Sequence, residues 1–159
     1  MISIRRLTPD DWRDWRNLRL AALREAPYAF GSALADWQGA GDTEERWRAR
    51  LMSVEFNAIA LLDQADAGMV SGSLEGEQPE LISMWVVPSA RGRGVGDALI
   101  GSVIDWARSA GRDTLVLQLV EGNEHAAALY RRNGFEDRGL VADADGPCER
   151  LMALDLLSG

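Results

Sequence analysis

The stretch "VVPSARGRGVGDALI", Val86 to Ile100, sets Arg91 and Arg93 among Gly92, Gly94 and Gly96, between an apolar run and an amphipathic one. Glycine lets the backbone take left-handed angles and come close to a ligand. Where such a turn opens a helix, the unpaired amides of the first turn and the positive end of the dipole attract an anion. Guanidinium groups suit phosphate in particular. The same spacing also suits a plain strand-to-helix turn with solvated arginines, so alone it reads either way. Asp97 excludes two nucleotide motifs. A dinucleotide fingerprint or a P-loop begun at Gly92 would need glycine there, and the P-loop would need Lys and then Ser or Thr where Ala98 and Leu99 stand. Glu75, Glu77 and Glu80 lie just upstream, legible as a solvated hairpin end or as an attraction for a cationic partner. His125 has no second ligand-type residue at useful spacing and reads as solvent-facing, and no metal is implied.

These residues need elements to place them. "ISIRRL" alternates as a short strand, and Thr8, Pro9 and the acidic Asp10 and Asp11 open a helix with Trp12, Trp15, Leu18, Ala22 and Leu23 as its buried stripe. Pro27 ends it, and a connector of apolar and small residues leads to Asp42, an expected N-cap with Glu45 as its capping-box partner. A short helix through Trp47 and Leu51 follows. "NAIALLD" and "AGMVSGSL" read as a hairpin turning around Gln64 to Ala67, and "ELISMWVVP" reads as a third strand closed by Pro88. Val95, Leu99, Val103 and Trp106 recur at helical spacing up to Gly111, a credible stop. "TLVLQLV" is a strand apolar enough for burial on both faces. A helix over Glu124 to Arg132, with Asn123 as N-cap, precedes two last strands around "DADGP". The order β-α-α-β-β-β-α-β-α-β-β predicts an α/β fold of the α+β kind: a mixed sheet of about seven strands, mostly antiparallel, flanked by helices.

Composition bounds the rest. Residues 1–159 suit a single domain, since a chain of roughly 150 residues can bury about 70% of its unfolded surface. A net charge of −8 argues against binding nucleic acid or anionic membrane and mildly favours a cationic or amine-bearing partner. Cys148 is alone, which rules out an intrachain disulfide and points to a reducing, cytoplasmic setting. No window approaches the roughly 18 consecutive apolar residues of a membrane span.

Arg91, Gly94 and Gly96, spaced Arg-x-x-Gly-x-Gly after a Val-Pro strand end and before an amphipathic helix, resemble the pyrophosphate motif of the GCN5-related N-acetyltransferase (GNAT) superfamily. A second segment, "LQLVEGNEHAAALYRRNGF", is similar to that superfamily's later motif, here Asn123, Ala127, Leu129, Tyr130, Gly134 and Phe135. The resemblance implies a single acetyltransferase domain with acetyl-CoA lying between "SMWVV" and "LVLQLV", splayed after a bulge. Backbone groups of Trp85, Val86 and Val87 would meet the pantetheine, and the segment Arg91, Gly92, Arg93, Gly94, Val95 and Gly96 would hold the pyrophosphate. Asn123 and Ala127 would flank the pantetheine arm. Val86 or Val87 would supply the oxyanion amide.

The implied reaction is acetyl transfer to a primary amine by direct attack in a ternary complex. Tyr130 would serve as general acid to the leaving thiolate and Glu80 as a candidate general base, since Gln118 cannot take a proton where peptide N-terminal acetyltransferases of the superfamily often carry glutamate. Tyr28 and Phe30 are candidate acceptor-side residues. The alternative is a non-catalytic acyl-CoA-binding regulatory module, which would keep the glycine turn without needing Tyr130. Exposed sheet edges allow a homodimer.

Overall fold

The computed structural model describes residues 1–25, 34–141 and 148–157. Seven strands, β1 (Ile2–Arg6), β2 (Phe56–Leu62), β3 (Ala65–Ser73), β4 (Glu80–Val86), β5 (Thr114–Val120), β6 (Glu136–Val141) and β7 (Glu149–Asp155), form one sheet in the order β1-β2-β3-β4-β5-β7-β6. Every neighbouring pair is antiparallel except β4 and β5. That parallel pair requires a crossover, supplied by α3 (Val95–Ser109). The remaining helices are α1 (Trp12–Glu25), α2 (Glu44–Ser53) and α4 (Glu124–Arg132). The expected element order and mixed sheet are therefore observed, while Tyr28, Phe30 and the "DADGP" turn lie outside the described residues.

Local chemistry sets most boundaries. Asp11 accepts the Thr8 backbone N–H at 2.8 Å across a short 3-10 turn that leads into α1. α2 starts one residue later than its sequence suggests. Thr43 is the N-cap, its hydroxyl accepting the Arg46 N–H at 3.3 Å. Asp42 has stronger partners: it takes charge-assisted bonds from Arg16 and a bond from Trp47 Nε1 at 2.8 Å, which hold its carboxyl down at about 2. The β2–β3 hairpin is also tighter than expected. Asp63 and Gln64, at φ 51° and 72°, make a two-residue turn of the kind whose twist matches paired strands, so β3 begins at Ala65.

The sheet has two differently dressed faces. On one, α3 and α4 pack Leu99, Ile100, Val103 and Tyr130 against Val70, Leu81, Leu115 and Leu117. On the other, α1 and α2 pack Trp15, Leu18, Trp47 and Leu51 against Ile59, Met69 and Trp85. No residue of β5, β6 or β7 joins this second cluster among the described residues, so α1 and α2 cover only the half of the sheet from β1 to β4. The larger core has no slack at Gly72 of β3, where a Cβ would run into the ring of Trp106, itself stacked on Phe56 at 5.6 Å. Gly72→Ala should lower unfolding free energy by about 1–3 kcal/mol, the usual cost of overpacking, read from urea midpoints at unchanged slope.

Candidate functional site

The site begins with a counting mismatch in β4. Ser71 of β3 stands opposite Ile82, but Met69, two residues back, stands opposite Trp85, three residues on. β4 thus carries one extra residue at Ser83–Met84, a β-bulge, and Ser83 sits at φ 56°. The bulge bends β4 away from β5. The two strands pair only at Glu80 and Val116, helped by the Val116 N–H donated to Pro79 O at 2.9 Å, and then separate. The bulge lies two residues earlier than Trp85, where the expected pantetheine contacts begin. Val87 N–H is donated to Ala67 O at 2.8 Å and is not free for an oxyanion. By strand alternation the Val86 amide points the other way, toward β5, and of the two expected donors it is the one facing the split.

At the far end of the split lies a cavity of about 660 Å³. Its floor is the glycine turn. Gly94 is the N-cap of α3 at φ 87°, a left-handed angle that a side chain would strain, and Gly92 is left-handed too. Gly96 serves a different end: a Cβ there would come within 3.0 Å of Leu129 Cδ2, so its absence lets α3 and α4 approach. Of the residues expected at the donor, Trp85, Val86, Arg91, Gly92, Gly94, Val95, Gly96, Asn123 and Tyr130 line this cavity. Val87, Arg93 and Ala127 do not. Arg93 points toward the β2–β3 turn, 4.0 Å from Asp63, and Ala127 is packed in the core.

Two acidic residues that sequence reasoning left unassigned shape the same cavity. Glu25, at the end of α1, pairs with Arg91 and accepts from Trp85 Nε1 at 3.3 Å, and the Arg91 hydrogen bond is the main reason its carboxyl is held below the ordinary range. Arg91 also donates from Nε to Val86 O at 3.1 Å, so it already bridges α1 and β4. Asp97 accepts from Asn133 Nδ2 at 2.9 Å and from Arg132 at 3.0 Å, fastening the start of α3 to the end of α4. Both clasps join residues far apart in the chain, and no local spacing signals them.

Tyr130 projects from α4 to the point where the split meets the cavity. It lines both the large cavity and a gap of about 90 Å³ between β4 and β5, shared with Ser83, Gln118, Val120 and Asn123. Asn123 caps α4, its side chain accepting the Ala126 N–H at 3.3 Å. Tyr130 packs edge-on to Phe135 at 5.8 Å, and burial raises its phenol pKa above the ordinary value. His125 is exposed, as expected, but at the cavity's rim. Gln118 is exposed on the uncovered face of β5. Glu80 is half-buried where β4 and β5 last pair, outside both cavities. Burial first, and then the charges of Glu149 and Glu75, raise its pKa. Among the described residues no three His, Cys, Asp or Glu side chains gather to hold a metal ion, and no helix is long and apolar enough to cross a membrane.

Known proteins share this fold. A coenzyme A complex of an N-acetyltransferase from Thermoplasma acidophilum superposes with a TM-score of 0.74 at 17% identity, over 98% of this chain and 99% of that one. A Salmonella typhimurium protein solved with acetyl-CoA gives 0.77 at 18% identity, over 100% and 96%. In sequence, a mycothiol acetyltransferase of Clavibacter sepedonicus is 30% identical over 141 residues, 86% of this chain and 43% of that protein. An uncharacterised N-acetyltransferase of Methanocaldococcus jannaschii is 36% identical over 76 residues, 48% of this chain and 34% of that one. The chain thus spans about a third to a half of the length of these two relatives. With its residues 8–135 matching the family's model, the chain belongs to the acetyltransferase (GNAT) family.

Proposed function

We propose that this chain transfers the acetyl group of acetyl-CoA to a primary amine of a small molecule or a protein, by direct attack in a ternary complex. The observation that carries this reading is that Tyr130, with Met84, Asn123 and Ala126, lines both the cavity over the glycine turn and the gap between the separated β4 and β5. Family membership and the cofactor-bound fold relatives support it.

The pyrophosphate of acetyl-CoA fits the first-turn amides of α3, where the helix dipole and the left-handed Gly92 and Gly94 present N–H groups outward. The pantetheine takes the place of a neighbouring strand, its amides meeting the β4 groups that β5 no longer pairs. The Val86 N–H meets the oxygen of the thioester carbonyl as it gains charge. The amine nitrogen, deprotonated, attacks that carbonyl. The tetrahedral intermediate expels the CoA sulfur as its C–S bond breaks, and the amine's proton leaves toward Glu80 through water, since Glu80 lies outside the cavity and the gap.

Tyr130 acts on the leaving sulfur. Its ordinary phenol pKa of about 10, raised further by burial, keeps the proton on oxygen, so it reaches a thiolate of ordinary pKa about 8.5 first as a hydrogen-bond donor. Glu80 suits the opposite task. A raised pKa makes it a better base, and with Glu75 and Glu149 it sets a negative potential that favours a cationic acceptor.

Three measurements check the proposal. Thiol release from acetyl-CoA across an amine panel should show amine-dependent turnover; CoA binding with no turnover on any amine would leave only a binding module. Tyr130→Phe should lower kcat about 10²-fold, in line with general-acid losses, while calorimetric CoA affinity stays within threefold. Glu80→Gln should lower kcat and also stabilise the fold at pH 7. Because the folded state holds the Glu80 proton more tightly than the unfolded chain does, that contribution is fully present below about pH 4.3 and is lost as pH rises through the raised folded value. The urea midpoint of Glu80→Gln should therefore exceed that of the parent at pH 7 and converge with it near pH 4.

A further inference from the structure

The bulge that opens the split is held from below by a buried cation. Arg50 of α2 donates from Nη2 to Ser83 Oγ at 3.2 Å and to Ser71 Oγ at 3.1 Å, and from Nη1 to Asn57 Oδ1 at 3.0 Å. Ser71 Oγ donates to the same Asn57 oxygen at 2.6 Å, and Asn57 Nδ2 donates to the Leu51 and Val54 carbonyls at the end of α2. The guanidinium lies 4.9 Å from the centre of the buried Trp15 ring. No carboxylate pairs with it among the described residues, and burial followed by repulsion from Arg19 lowers its pKa to about 10, which leaves it charged at neutral pH. A buried charge bonded only to neutral groups is a costly way to fill space, and an apolar side chain would fill it at lower cost. What the guanidinium fork alone supplies is one rigid plane joining β2, β3 and the extra residue of β4.

We propose that Arg50 is a positioning residue: it holds Ser83 in its left-handed conformation, and so fixes where the bulge breaks β4 from β5 and where the Val86 amide points. This rests on the acetyl-transfer reading above. Ser83 is the one partner of Arg50 that lines the gap with Tyr130. Any slack in Ser83 therefore moves the reacting end of the site, whereas the pyrophosphate turn, on α3, stays where it is.

The test compares Arg50→Met, Ser83→Ala, Ser83→Gly and the double variant Arg50→Met with Ser83→Gly. Leu156→Ala, which trims a buried core side chain just past β7, serves as a stability control away from the bulge. Arg50→Met should lower kcat about 30- to 100-fold, the scale of an ångström-level misplacement, with acetyl-CoA affinity by calorimetry within threefold. Ser83→Gly should restore at least tenfold of that loss, because glycine holds a left-handed angle without a clamp. Leu156→Ala should lose stability but keep its kcat. A kcat for Arg50→Met within threefold of the parent, or no recovery on adding Ser83→Gly, overturns the proposal. If Arg50→Met does not fold, Ser83→Ala keeps the cation and removes only its last bond, and should lower kcat about tenfold; an unchanged kcat overturns it. If the parent acetylates no amine, the functional reading falls separately. The clamp is then judged by amide hydrogen exchange at residues 83–86, which must quicken at least tenfold in Ser83→Ala.

Discussion

One surplus residue in β4 governs the rest of the site. A strand with an extra residue cannot stay in register with both neighbours, and here the antiparallel pairing with β3 is kept while the parallel pairing with β5 is surrendered after Glu80 and Val116. Surrendered pairing turns backbone groups of β4, the Val86 N–H among them, away from any strand partner, and folded chains do not tolerate such groups buried unless something else bonds them, as Arg91 Nε does for Val86 O. The split is therefore both a defect in the sheet and a demand for an extended, amide-bearing occupant. On the acetyl-transfer reading proposed above, the pantetheine arm of coenzyme A would meet that description, and the bulge would then be as much a recognition device as the glycine turn.

The two layers of helices divide the work of keeping such a sheet intact. α3 and α4 seal one face of the split with Leu99, Val103 and Tyr130, and the Asp97 clasp to Arg132 and Asn133 ties the beginning of one helix to the end of the other. α1 and α2 press on the other face with two fully buried tryptophans, Trp15 and Trp47. Between α2 and the sheet lies the small polar network of Arg50, Asn57 and Ser71, bonded to the bulge at Ser83 and to the Leu51 and Val54 carbonyls at the end of α2. Apolar packing of this size gives the domain its stability. A polar network set within it fixes one geometry among several of similar energy, at a cost the surrounding core can absorb.

How much of this is legible in the chain follows from the sequence distance of each interaction. The glycine turn and the Asn123 cap are local devices, written in residues one to four apart, and they read correctly as a strand-to-helix turn and an N-cap, as does the order of the seven strands and four helices; β5, read as buried on both faces, is instead exposed on one at Gln118. The β2–β3 turn and the start of α2 shift by one or two residues, because Asp63 and Gln64 adopt left-handed angles without glycine and Asp42 is drawn off by Arg16, 26 residues earlier. "ERWRARL" reads as an amphipathic helix with a polar face, and nothing in it marks Arg50 for burial, since its bond to Ser83 spans 33 positions. Glu25 and Arg91 are 66 apart. The Val87 amide, named with Val86 as a candidate, is excluded only once its bond to Ala67 is seen.

The same contrast explains why the donor is easier to read than the acceptor. The glycine-turn end is built from one continuous turn and one helix start, so it is compressed into a few residues. The other end is built by omission: among the described residues α1 and α2 stop short of β5, β6 and β7, and leave Gln118 exposed beside the gap, with Glu80 and its carboxylate neighbours at the closed end of the split. An uncovered face is a property of where distant helices end. Two chains with the same glycine turn and the same Tyr130 can therefore present different acceptor faces by changing only the reach of α1 and α2. In this chain that reach leaves an acidic, open approach to a gap of about 90 Å³, too small to enclose more than the reacting amine and its nearest atoms. On the acetyl-transfer reading proposed above, the bulk of the acceptor would lie outside the gap, against the face of β5 that the described residues leave open at Gln118. Selection between acceptors would rest on the charges and shape of that face, with the gap itself asking only for an unhindered primary nitrogen.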